Sequence, residues 1–143
     1  MLHGRQIIIV GMGRVGRLVV ENMRRERTIT VIDTSAERLA LVPDEVGQIR
    51  VQKIHGDATS RLVLNKADLD RHSVLIVVTG DDAVNQEVAR LARGEHGTEE
   101  IVALVDNVDG LDAIGLTSTD VIQRHPATAA LVHEVAGDNE LAV

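Results

Sequence analysis

Gly11, Gly13 and Gly16 form a Gly-x-Gly-x-x-Gly pattern, GMGRVG, directly after the apolar run Gln6–Val10. Asp33 closes the next apolar run, which begins at Thr28, seventeen residues past the last of these glycines. The chemistry on offer is the holding of an anion beside a sugar. Gly11 allows a tight strand-to-helix turn, Gly13 has no Cβ to keep a phosphate off the backbone, and Gly16 lets the helix lie close on the sheet. The helix start presents unpaired N–H groups and partial positive charge. One strand over, Asp33 offers a carboxylate to both hydroxyls of a ribose, or caps the following helix in competition with Ser35. Glycines alone are weak evidence of such a site. Set between a β-rich run and an amphipathic helix, with an acid at that distance, they point to a dinucleotide or adenine nucleotide.

Two further stretches stand where strands give way to helices. In His55-Gly56-Asp57-Ala58-Thr59, Asp57 either bonds an adenine or caps the next helix, and His55 borders the same place. In Thr79-Gly80-Asp81-Asp82-Ala83-Val84-Asn85, Thr79 and Gly80 should face a ligand across the switch point of the sheet, while Asp81 and Asp82 read as helix caps rather than metal ligands. No arginine follows Asp33 directly and Thr34 is neutral, so a 2′-phosphate would meet an unneutralised carboxylate. NAD or a plain adenine nucleotide is therefore expected over NADP. The six histidines include no i, i+4 pair, and no metal site is expected.

Positioning these residues requires alternating strands and helices. Strands are predicted at Gln6–Val10, Thr28–Ile32, Ile49–Ile54, Ser73–Val78, Glu100–Val105 and Asp120–Ile122. Most are apolar on both faces, as in a parallel sheet covered by helices on each side. The first helix carries Val15, Leu18, Val19 and Met23 on one stripe and ends in the basic cluster Arg24, Arg25 and Arg27. A second helix starts near Ser35 and ends by Pro43; a third spans about Thr59 to Ala67. A fourth, with Val84, Val88, Leu91 and Ala92 at helical spacing, ends around Gly94. A short helical piece is expected near Leu111–Ile114, a last helix from about Pro126, and a loose tail from Gly137. The expected fold is α/β: a Rossmann-like, doubly wound, mostly parallel sheet of six strands in the order 3-2-1-4-5-6. All 143 residues read as one domain.

Composition narrows the function. With no Phe, Tyr or Trp, the chain cannot stack aromatic rings on a base or a nicotinamide. The formal net charge of −7 argues against nucleic acid as a partner. There is no cysteine for disulfides or thiolate chemistry. No apolar segment approaches the ~20 residues that span a bilayer and no signal-peptide pattern is present, so a cytoplasmic protein without membrane insertion is expected. A dehydrogenase needs a proton donor near the hydride carbon and a substrate-holding domain. Without tyrosine a Tyr-x-x-x-Lys pair cannot exist, and the nucleotide fold uses up the whole chain. A sensor is expected rather than an enzyme, with no catalytic residues.

Four motifs agree in order and spacing with one family: GMGRVG at 11–16, VID at 31–33, GDAT at 56–59 and VVTGDDAVN at 77–85. The chain resembles the N-terminal lobe of RCK/KTN domains (TrkA-N type), which regulate potassium channels, Trk/Ktr-type transporters and potassium efflux antiporters. The resemblance implies a lobe that binds NAD(H) or ATP/ADP/AMP without turnover and gates a potassium pathway by changing subunit geometry. By residue match it implies phosphate contacts at Gly11, Gly13, Arg14 and Gly16 with the intervening Met12 and Val15. Asp33 and Thr34 would serve the ribose, Asp57 and Ala58 the adenine, and Thr79 and Gly80 the far side. It further implies a homodimer or higher ring, paired in part through the apolar stripe Ala129, Ala130, Leu131, Val132 and Val135. The partner would be a membrane-embedded potassium channel or transporter subunit, which would hold the lobe at the inner face of the membrane. Family members often carry Arg in strand five, where this chain has Leu104, and no TrkA-C lobe follows in this sequence. The rival readings are a fragment of an NAD-dependent oxidoreductase and a soluble nucleotide-binding subunit with no link to potassium.

Overall fold

The computed structural model describes residues 6–21, 28–105 and 121–123, the last three and 104–105 by backbone alone. Met23, the basic cluster at Arg24, Arg25 and Arg27, the helical piece at Leu111–Ile114, the last helix from about Pro126 with its apolar stripe, and the tail from Gly137 all lie outside the described residues.

In chain order the elements are β1 (Gln6–Val10), α1 (Arg14–Glu21), β2 (Thr28–Asp33), α2 (Ala36–Ala40), β3 (Glu45–Val46), β4 (Ile49–His55), α3 (Arg61–Lys66), β5 (Val74–Val77), α4 (Asp82–His96), β6 (Glu100–Val105) and β7 (Val121–Gln123). The sheet runs β3-β4-β2-β1-β5-β6-β7. All pairs are parallel except β3–β4. Removing β3 leaves six parallel strands in the predicted order. That order reverses between β1 and β5, which opens a crevice outside their carboxyl ends. β3 was not predicted. It is two residues long and turns back on β4 through Gly47, at φ 61, and Gln48, a two-residue hairpin with its glycine in the left-handed region.

The strands are apolar on both faces because both are covered. On one face Ile7, Ile9, Ile29, Val31, Val51, Val74 and Ile76 pack with Val19 and Val20 of α1 and Leu39 of α2. On the other, Ile8, Ile32, Leu75, Val77 and Ile101 pack with Leu64 of α3 and Val88, Leu91 and Ala92 of α4. Each such aliphatic side chain taken fully from water contributes on the order of 1.5–3 kcal/mol, so an aliphatic core suffices without an aromatic ring.

Helix ends follow local chemistry, with one departure from expectation at an end and one on a helix face. Ser35 caps α2, its Oγ accepting from the Arg38 N–H at 3.1 Å, and α2 is over before Pro43. Asp81 caps α4 by accepting from the N–H groups of Ala83 and Val84 at 2.9 and 3.2 Å. α4 passes through Gly94 and stops at Gly97, whose φ of 64 supplies the left-handed C-cap that ends it. On α1 the inward side is made by Val15, Gly16, Val19 and Val20. Leu18 sits on the flank of that stripe, 38% exposed, and not in it as predicted.

Candidate functional site

The β1–α1 turn is fixed by contacts on both sides. The Gly11 N–H donates to the Ile32 carbonyl at 2.8 Å, and the Val78 N–H donates to the Val10 carbonyl at 2.8 Å. Gly11 has φ 100, and a Cβ there would stand 2.8–2.9 Å from backbone atoms of Val78 and Thr79. Only glycine combines that φ with so close an approach to the strand across the switch point. Gly16 abuts the turn itself, because a Cβ on it would fall 1.9 Å from the Gly11 carbonyl oxygen. Gly13 differs: nothing lies within 4 Å of where its Cβ would be. Two glycines are therefore filled against by protein, and the middle one faces open space.

That space is a crevice of about 520 Å³ over the ends of β1, β2, β4 and β5. Gly11, Gly13, Asp33, Thr34, Asp57, Ala58, Thr79 and Gly80, all predicted site residues, line it together. The side chains of the other predicted site residues do not line it. The Met12 side chain is fully buried in the core and its N–H donates to Asp33 Oδ2 at 2.7 Å. Val15 packs against the same core, Gly16 is buried, and Arg14 opens α1 as an exposed residue outside the crevice lining. Val10, Ile32, Val78 and Val84 add apolar wall that sequence reasoning did not assign to the site. α1 carries no acidic residue in its first turn, and Gly13 has no side chain to cap it, whereas Ser35 and Asp81 cap α2 and α4. The N–H groups that open a helix have no intrahelical acceptor and attract an anion.

Asp33 is the most heavily bonded side chain in the crevice, 5% exposed. Besides Met12, the Ser35 N–H donates to its Oδ1 at 2.7 Å. Arg38 donates through Nε to both oxygens, at 3.1 and 3.2 Å, and its Nη2 stands 2.9 Å from Oδ1. Burial by itself raises the Asp33 carboxyl, but the hydrogen bonds from Arg38, Met12 and Ser35 and the guanidinium charge outweigh it and hold the group below the usual carboxylate range. Asp33 therefore does not cap α2, which Ser35 does. The expectation that nothing neutralises this carboxylate is corrected, because Arg38 reaches back to it from α2. Arg38 was missed because only the residues directly after Asp33 were weighed. The signal was its place in the first turn of a helix capped by Ser35, which returns its side chain toward the strand end.

The remaining rim is held by short-range bonds. Asp57 accepts from the Thr59 N–H at 2.9 Å and from Thr59 Oγ1 at 2.7 Å. These bonds lower its carboxyl against a smaller opposing effect of burial. The side chain thus holds the turn that leads to α3 and does not cap that helix, whose N-cap is Ser60. His55 contacts the Thr34 carbonyl through Nε2 at 2.9 Å and is not among the lining residues. Asn85, fully buried one turn into α4, accepts from the Thr79 N–H at 3.1 Å and from its hydroxyl, and donates to the Thr79 carbonyl at 3.2 Å. It thereby pins the β5–α4 loop. Sequence reasoning included Asn85 in a motif and gave it no role. Among the described residues no cluster of three His, Asp or Glu side chains stands ready for a metal ion.

A parallel sheet in this order, with a glycine turn opening α1 and an acid ending β2, defines a Rossmann-like α/β domain. The chain belongs to the TrkA-N domain family, whose model matches residues 7–124. It is 26% identical over 137 residues to the Trk system potassium uptake protein TrkA of Halomonas elongata, covering 94% of this chain and 29% of that protein. It is 29% identical over 106 residues to the protein of the same name from Mycobacterium tuberculosis, covering 71% of this chain and 45% of that one. The chain thus spans less than half of either relative. Among solved structures, the TrkA-N domain of inner membrane protein ybaL from Escherichia coli superimposes with a TM-score of 0.65 at 23% identity, over 92% of this chain and 96% of that one. The AMP-bound Kef C-terminal domain of Shewanella denitrificans gives 0.62 at 17% identity, over 95% and 84%. Among the described residues no helix is long and apolar enough to cross a membrane.

Proposed function

We propose that this chain is a regulatory lobe that binds NAD(H) or an adenine nucleotide without turning it over, and that occupancy biases a potassium transport assembly. The observation that carries the reading is Gly13, whose missing side chain leaves open space at the uncapped start of α1, one strand away from Asp33. A phosphate fits the first place and a ribose the second. Potassium as the controlled ion is supported by relatives named as potassium uptake proteins. A regulatory role, and not a catalytic one, is supported by how the crevice uses its other polar groups: Asp57 and Asn85 are spent on holding the loops.

Regulation requires two arrangements of the assembly that bind the nucleotide unequally. A pair of lobes related by two-fold symmetry, attached to a cytoplasmic face of a membrane transporter, supplies such arrangements. The test is a melting panel of NADH, NAD⁺, ATP, ADP and AMP on the 143-residue chain. A ligand at a hundredfold excess over its Kd stabilises by about 2.7 kcal/mol. At about 2–4 °C per kcal/mol for a domain near this size, that raises Tm by roughly 5–10 °C. No shift with any of the five at millimolar concentration rejects the proposal.

A further inference from the structure

An ionised carboxylate offers about four lone-pair positions. At Asp33 they are already taken. The Met12 and Ser35 N–H groups occupy one on each oxygen, both at 2.7 Å, and Arg38 covers the remainder through Nε and Nη2. The two backbone donors are set by the turns that leave β1 and β2, so neither can withdraw while those turns stand. Arg38 differs: its side chain is 50% exposed, and it rises from the five-residue α2. It also lines the crevice beside Asp33 and Thr34. An incoming ribose therefore meets a saturated acid, and the guanidinium is the one partner that it can displace.

We propose that Arg38 is a specificity-determining residue of the crevice: it competes with ribose hydroxyls for Asp33, and its guanidinium is the partner for a phosphate on the 2′ oxygen. This rests on the nucleotide-binding reading above. A guanidinium presents a planar fork that suits a carboxylate or a phosphate equally well. Neutralised by that fork, Asp33 no longer repels a 2′-phosphate, and the donors of Arg38 are gained by the ligand and not lost to it. A ligand with free 2′ and 3′ hydroxyls has only its two O–H groups to offer in exchange. Arg38 thus shifts the balance from a plain adenosine toward a 2′-phosphorylated one.

The experiment compares AMP with adenosine 2′,5′-bisphosphate by calorimetry on the unaltered chain, Arg38→Ala, Arg38→Gln and Arg38→Lys. In the alanine and glutamine variants AMP tightens, the bisphosphate weakens, and the ratio of the two Kd values moves by about tenfold or more toward AMP. Lysine, which keeps the charge and loses the fork, falls between. A ratio unchanged within about twofold, or parallel losses for both ligands, overturns the proposal while leaving nucleotide binding intact. Failure of both ligands to bind any of the four proteins rejects the site itself.

Discussion

Gly13 and Gly16 belong to the same motif, yet the same methyl group should act on them in opposite ways. At Gly16 an added Cβ falls 1.9 Å from the Gly11 carbonyl oxygen and 2.9 Å from its carbonyl carbon. Both are backbone atoms and cannot swing aside, so α1 must move off the turn. Better helix propensity returns about 1 kcal/mol, whereas overpacking of this kind costs about 1–3 kcal/mol and occasionally more. A clash this deep belongs at the upper end, so Gly16→Ala should lose about 2 kcal/mol net, or roughly 4–8 °C in Tm at this chain length. At Gly13 the methyl meets nothing within 4 Å, and Gly13 is not among the residues at positive φ. Reduced freedom of the unfolded chain stabilises by about 0.4–1 kcal/mol, which offsets the modest penalty of alanine at a helix N-cap, so Tm should move by no more than about 3 °C. The methyl does occupy the approach to the opening N–H groups of α1. Loss of one charge-assisted hydrogen bond there is worth about 1.5–3 kcal/mol, or about tenfold or more in Kd for AMP or NADH. Thermal melts and calorimetry on both variants decide the matter. A Gly13→Ala protein that melts normally and binds nucleotide as before would refute the placement of the phosphate.

Asn85→Ala should cost about 2 kcal/mol in urea unfolding, because the Thr79 N–H and carbonyl lose a buried partner; a change below about 0.5 kcal/mol would show that water or the loop itself satisfies them. Asp33 should make stability depend on pH. Its carboxyl is held below the ordinary value in the folded state, so the folded chain binds fewer protons than the unfolded one. The stabilisation is fully present above about pH 4 and is lost as pH falls through the folded value. The advantage of the unaltered chain over Asp33→Asn should therefore hold down to about pH 4 and shrink as pH falls further, and a constant gap in urea titrations would contradict the ion pair with Arg38.

Legibility in the sequence followed how local each cause is. The order of the six parallel strands was readable because strands and helices alternate and β1, β2 and β5 are largely aliphatic or β-branched, as burial on both faces requires. The open space at Gly13 was readable from spacing, since a glycine there does nothing for the chain by itself. What each neighbouring glycine touches was not readable, because the Gly16–Gly11 contact closes across the turn and the Gly11–Thr79 contact crosses to a strand over sixty residues away. Arg38 and Asn85 share one reason for being overlooked. Each lies in the first turn or so of a helix whose cap (Ser35, Asp81) was recognised, and each sends its side chain back to the strand end before that cap. Cap recognition gives the start of a helix, and the helical rise then says which residues look backward. β3 was invisible because two residues carry no periodicity, and only Gly47 marks its turn.

The hydrogen bonds that build the crevice also determine where selectivity can reside. Four strand ends are tied to one another through backbone groups: Gly11 to Ile32, Val78 to Val10, and Gly56 to the Asp33 carbonyl at 3.0 Å. Thr79 is tied to Asn85, and Met12 to the Asp33 carboxylate. A ligand entering such a frame cannot change these bonds without opening the sheet, which the aliphatic layers on both faces oppose. The Arg38 guanidinium is held by side-chain bonds alone and half open to water, so it is the partner that a ligand can exchange. On the reading proposed above, the frame sets where a phosphate and a sugar would lie, and Arg38, carried on the short α2, is left to distinguish a plain ribose from a 2′-phosphorylated one. On that reading a signal that depends on the 2′ oxygen would begin at α2, whereas the differences among AMP, ATP and NAD(H) lie at the phosphate end, by α1.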